Sequence, residues 1–141
     1  MSRRIPSANS YDPAGPVIIE TFIAGETITE GNVVVLDTTN KDGYHVMQSD
    51  ANTVGIGIAQ EAAAAAGDEI KVQTYGVGIK AITTGGSAAA NASLKAGAAG
   101  ATAEVAAGTA CYAAFAYALD ADTSTTLAAG DYFITFGPVF D

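Results

Sequence analysis

The chain has 141 residues, enough for one domain with a real core and too few for two independent domains of ordinary size. It carries 15 Asp and Glu against 6 Lys and Arg, a formal charge of −9, and a field of that sign repels a phosphate backbone, which argues against nucleic-acid binding. Charged residues make up 15 % of the chain where a soluble domain has about 25 %, so part of the surface is expected to face another protein.

Residues 1–16 are polar and turn-rich, and Pro6, Pro13 and Pro16 each remove a backbone donor and fix φ, so the segment reads as an extended N-terminal arm. Its apolar residues Ile5 and Tyr11 either dock on a neighbour or belong to a disordered tail. Arg3 and Arg4 are two of the six basic residues, which leaves 15 acids against 4 bases in the remainder. The pair is either an electrostatic plug for an acidic partner or an ordinary solvated end.

From residue 17 the pattern changes to short β-branched runs separated by Gly, Asp and Asn, as expected of strands joined by turns. The predicted strands are 17–23, 32–37, 44–48, 53–59, 69–75, 77–83, 110–119 and 131–136. Strands of this length and spacing argue for a small β-barrel or sandwich, with 17–141 as one β domain. Lys41-Asp42-Gly43 signals a hairpin, because Asp and Gly tolerate positive φ. The alanine run in 60–66 is too short to hold a helix alone and reads as one helical turn or an ordered loop. The stretch 85–108 is nearly all Ala, Gly, Ser and Thr, residues that bury little area each. It is expected to be a long Ala/Gly-rich loop, with a weak strand around 92–95, that a partner orders better than the chain does itself.

A turn-plus-strand phrase recurs. Gly31-Asn32 precedes Val33-Val34-Val35, Gly67-Asp68 precedes Glu69-Ile70-Lys71-Val72, and Gly130-Asp131 precedes Tyr132-Phe133-Ile134. Ile58-Ala59-Gln60-Glu61 and Tyr117-Ala118-Leu119-Asp120 each end the run before the second and third turns. The two halves thus look like degenerate copies of one β unit, the alternative being chance.

The phrases Ala24-Gly25-Glu26-Thr27-Ile28-Thr29-Glu30-Gly31-Asn32-Val33-Val34, Val54-Gly55-Ile56-Gly57-Ile58-Ala59 and Ala66-Gly67-Asp68-Glu69-Ile70-Lys71-Val72 are similar to those of small capsid cement (decoration) proteins of tailed bacteriophages. The similarity runs over 17–136, and the arm and the 85–108 stretch depart from it. The resemblance implies a compact β domain on the outer face of a capsid, commonly a homotrimer. Its expected partners are the major capsid protein and itself, and its expected location is the virion, after synthesis in the host cytoplasm.

No constellation for catalysis stands out, so the chain is not expected to be an enzyme, and no cofactor is expected. His45 reads as a surface or hairpin histidine rather than a general base, with no acid assigned to it. Cys111 is single, lies among small apolar residues and reads as a buried structural thiol; no cysteine or histidine cluster offers a zinc site. Asp120-Ala121-Asp122 is turn chemistry or a weak cation site, and no metal is expected. Gly55-Ile56-Gly57 and Gly76-Val77-Gly78 lack the context of a phosphate loop and read as strand glycines at a bulge or a close backbone approach. Residues 1–16 have no apolar signal region, and no apolar run reaches the roughly 18 residues of a membrane span, so a soluble protein is expected.

The last stretch is the densest in aromatics. Alternation puts Tyr132, Ile134 and Phe136 on a core face and Phe133 on the other, with Pro138 ending the strand. Phe133 is therefore expected at a capsid or subunit interface, together with Arg3, Arg4, Ile5 and Tyr11 of the arm; Phe140 is a core plug or an interface anchor. The function that follows is a structural virion protein that clamps capsid subunits. Alternatives are a head-fibre base, a tail-tube component or, less supported because Trp is absent, a carbohydrate-binding β module.

Overall fold

The structure, a computed structural model, describes residues 16–40, 42–50, 53–86, 88–105, 114–121 and 125–139, with side chains through 135. Five strands come first: β1 (Ile18–Ala24), β2 (Val33–Leu36), β3 (His45–Gln48), β4 (Gly55–Ala59) and β5 (Glu69–Val77). β2 pairs antiparallel with both β3 and β4, β4 with β5, and β5 with β1. A short parallel pairing, Ile23 with His45 and Ala24 with Val46, joins β1 to β3 and closes a five-stranded barrel. The hairpin expected between β2 and β3 is present. Gly43 takes φ +85°, and the Asp42 carboxylate accepts the N–H groups of Tyr44 (3.1 Å) and His45 (3.0 Å).

The rest of the chain supplies β6 (Ile82–Thr83), β7 (Ser93–Ala96), a 3-10 turn (Ala98–Gly100), β8 (Thr102–Glu104), β9 (Ala114–Ala118), β10 (Thr126–Leu127) and β11 (Tyr132–Val139). Strands run in the order β8, β7, β9, β11, and β11 joins the barrel through β5 by pairing Phe133 with Val77 and Ile134 with Gly76. β6 and β10 form a small separate ladder. Among the described residues no helix is long and apolar enough to cross a membrane.

The second set of strands copies the first. Val34, Val35 and Leu36 pair with Gln48, Met47 and Val46; Leu94, Lys95 and Ala96 pair with Glu104, Ala103 and Thr102. Val33, Val34 and Val35 pair with Ile58, Gly57 and Gly55, skipping Ile56; Ser93, Leu94 and Lys95 pair with Tyr117, Ala116 and Ala114, skipping Phe115. Both units therefore carry one bulge at the same place. Connecting bonds repeat too: Gly31 N–H donates to the Ala59 carbonyl and Gly25 N–H to Val46, as Asn91 does to Ala118 and Gly85 to Thr102. The duplication read from the turn phrases is present, and it extends into residues where the sequence showed none.

This corrects the long loop expected at 85–108. Its described part folds into the β7–β8 hairpin, with Leu94 and Ala96 buried and β7 paired to β9. Small side chains bury little, but β7 is paired along both edges, to β8 and to β9, so backbone hydrogen bonds within the chain order it. The alanine run at 62–66 is the ordered loop, not a helix: Ala63 bridges to Ile28 and is buried. The strand expected at 77–83 is instead split, since β5 extends to Val77 and β6 holds only Ile82–Thr83. Pro138 does not end β11. Its register shifts between Ile134 and Val139, which pairs with Ala114, so the proline sits in an irregular stretch where a missing N–H is tolerated.

Two cores result. Val34, Val46, Ala59, Ile70 and Val72 fill the barrel, with Ile28 and Ala63 at one end. Val33, Val35 and Ile58, on the other face of β2 and β4, meet Leu94, Phe115, Tyr132 and Ile134 of the second unit. The run Val33-Val34-Val35 is buried throughout because one wall serves both. A Cβ on Gly78 would overlap the Tyr132 ring, so only glycine lets this large aromatic lie against the backbone.

Tyr132 is fully buried, donates its hydroxyl to the Lys80 carbonyl, and has its ionisation pushed upward by burial. The unfolded chain loses this proton near pH 10.0 while the folded chain keeps it, so stability is complete below that pH and falls above it. Urea unfolding should show a loss approaching about 1.4 kcal/mol per pH unit above pH 10. Tyr132→Phe should start about 1 kcal/mol less stable and lack that alkaline component.

Candidate interaction surface

The chemistry-bearing residues come together only sparsely. Among the described residues no group of three or more His, Cys, Asp or Glu could hold a metal ion. His45 does have an acid: its Nδ1 meets the Asp42 carboxylate, and its ring lies 5.3 Å from that of Tyr44. Asp42, three residues upstream, was overlooked as a partner because the tight turn is what brings it back. Partial desolvation acts against the Asp42 carboxylate, but the N–H groups of Tyr44 and His45 and the imidazole together hold its pKa below the ordinary value. The pair fixes the hairpin. Asp37 is similarly lowered, chiefly by the Thr39 N–H at 2.7 Å.

Of the interface residues read from the sequence, Arg3, Arg4, Ile5, Tyr11 and Phe140 lie outside the described residues, as do Cys111 and Asp122. Phe133 is placed. Tyr132 and Ile134 on either side of it are buried, whereas Phe133 is half-buried on the opposite face. There it stands edge-on to Tyr75, with ring centroids 5.2 Å apart at 82°, and directly opposite the exposed Tyr117 of β9. Strand neighbours thus cover part of the ring, forming an aromatic row across β5, β11 and β9.

A second surface escaped the sequence reading. β1 and β3 pair only at Ile23 and Ala24, and before that point the two strands separate and open one end of the barrel. The mouth is a cavity of about 390 Å³ whose walls are Glu20, Thr21 and Phe22 of β1, Leu36, Gly43, Tyr44, Ile56 and Thr74. Phe22 and Ile56 form its apolar floor against the barrel core. The β4 bulge turns Ile56 inward, and a side chain on the flanking Gly57 would strike the Gln73 carbonyl. Glu20 accepts the Thr74 hydroxyl at 3.1 Å. Around the rim Leu36 is 45 % and Tyr44 53 % exposed, and Val17, Ile18 and Ile19 continue the apolar surface along β1. The alternation of buried and exposed positions in the sequence could not reveal this, since the mouth depends on where β1 and β3 part.

Two comparisons bear on family: no family model matches the chain, and no curated protein does. Among solved structures the chain is similar to the head fibre gp8.5 N base of bacteriophage phi29, with a TM-score of 0.60 and 14 % identity, over 89 % of this chain and 100 % of that one. At that identity the likeness is one of fold.

The half-buried aromatic row predicts a graded response. Phe133→Ser should cost about 1–3 kcal/mol and leave a cooperative fold in urea, the sum of partial burial and one aromatic pair. Ile134→Ser, on the core face, should abolish cooperative unfolding. The reverse order would show that the faces of β11 are misassigned.

Proposed function

We propose that the protein is a structural component of a tailed-phage virion which binds the outer surface of the capsid as a cement (decoration) protein, with the major capsid protein and further copies of itself, as a homotrimer, for partners. The observation that supports a phage structural role is the fold likeness to a phage head fibre base over most of the chain. The low charge content, the exposed apolar surface around the barrel mouth and the aromatic row agree with a protein that works through contacts. The action is mechanical. Apolar area and strand-edge hydrogen bonds added across a seam between capsid subunits must be broken before the shell opens. Linked copies bind better than single ones, because the first contact raises the effective concentration for the next. The arrangement calls for no reaction, and the protein is read as having no catalytic role and no cofactor.

The same likeness favours a second reading, the base of a head fibre. Expanded shells mixed with increasing amounts of purified protein distinguish the two by bound copies after sedimentation. A cement role predicts saturable binding at a copy number set by the capsid lattice, and a fibre base predicts saturation at far fewer sites. Absence of sedimenting protein at any ratio would contradict both.

A further inference from the structure

The duplication allows one unit to be compared with the other. In the second unit the bulged Phe115 is 0 % exposed and Ala96, the register counterpart of Leu36, is 1 % exposed. In the first unit the bulge delivers the smaller Ile56, and the cavity above it stays open beneath an exposed Leu36. The bulge that delivers a phenylalanine in the second unit thus delivers only Ile56 at this mouth.

The adjoining backbone is also left unpaired by β3. Ile23 N–H donates to the Tyr44 carbonyl and Gly25 N–H to Val46, whereas Ala24 N–H turns the other way, to Asp68. By the same alternation Thr21 and Ile19 direct their backbone groups toward the side of Ile23, but no residue of β3 is in register with them. Cleft and a strand edge that β3 leaves unpaired among the described residues lie side by side, the arrangement that accepts an added strand.

We propose that this cleft receives the N-terminal arm of a second copy of the chain, with Ile5 on the floor made by Phe22 and Ile56 and Arg3 at the Glu20 carboxylate. Charge selects the arm: the cavity wall holds Glu20 and no base, and Arg3 and Arg4 precede any acid in the chain. Spacing agrees, since Glu20 and Phe22 share one face of β1 at an interval of two, and Arg3 and Ile5 have that interval in an extended strand. A second copy is the occupant because the protein is read as an oligomer, and the arm, which precedes β1, can join one copy to the next. Fifteen extended residues reach roughly 50 Å, ample for a neighbour. The inference rests on the reading of the protein as an oligomer and not on its attachment to a shell.

Sedimentation velocity of the full-length protein over a wide concentration range tests it. Arg3→Glu and Glu20→Arg should each weaken association by about tenfold, replacing attraction by repulsion at every contact. An equimolar mixture of the two variants should associate more strongly than either alone, because opposite charges meet in every mixed contact, with recovery short of wild type in a ring of three, where one contact joins like copies. An arm bound to its own barrel would gain nothing from mixing. Deletion of 1–16 should abolish association, and gives the answer even if Glu20→Arg folds poorly. Association unchanged by the deletion, or no gain on mixing, would overturn arm exchange while leaving an oligomer built on another surface. A wild-type monomer at all concentrations would overturn both.

Discussion

The wall made by β2 and β4 is buried on both faces, and the rest of the molecule is arranged around that constraint. Val34 and Ala59 point into the barrel, and Val33, Val35 and Ile58 point into the core shared with the second unit. A strand pair buried on both sides admits no polar residue on either face and little slippage, since a shift by one residue would exchange the two cores. The bulge at Ile56 is compatible with that wall only because glycines flank it. A Cβ on Gly55 would lie 2.9 Å from the Phe115 ring, and one on Gly57 would meet the Gln73 carbonyl. At Gly55 the two units pack too closely to admit a side chain.

From the same wall follows the difference between the ends of the molecule. Each unit places one bulged residue at an equivalent point, but Phe115 is enclosed by the first unit whereas Ile56 faces an opening. The first unit is closed by two parallel pairs between β1 and β3, the second by a bridge of Thr84 to Thr102. The surplus length of β1 beyond its closure is what leaves an apolar strand edge on the surface. A protein with an enclosed core, few charges and an apolar strand edge at β1 is suited to adding its strands to others, and the proposed role on a capsid uses that property.

The all-β class, the hairpin at Asp42 and Gly43, the bulge-permitting glycines and the duplicated turns were all legible, because each depends on local backbone chemistry written in Gly, Asn and Asp. Gly31, Gly67 and Gly130 take φ of +86°, +96° and +90° at the three turns read as one phrase. The fourth such turn was hidden because Asn91, at φ +66°, replaces the glycine and the neighbouring residues are alanines. Low complexity was mistaken for lack of structure at 85–108, where the ladder rather than the side chains defines the strands. The barrel mouth was illegible for a different reason: it is set by where two strands distant in sequence part. The face of β11 carrying Phe133 followed from alternation, but its cover by Tyr75 and Tyr117 depended on which strands became neighbours.

The central claim is that the protein strengthens a shell by binding it, and rupture of the shell itself tests that most directly. Expanded capsids saturated with the protein and capsids without it should be heated in parallel while release of an enclosed dye or genome is followed. The account predicts a higher release temperature for the saturated capsids, rising with occupancy until the sites are full. Identical release curves at full occupancy would contradict it.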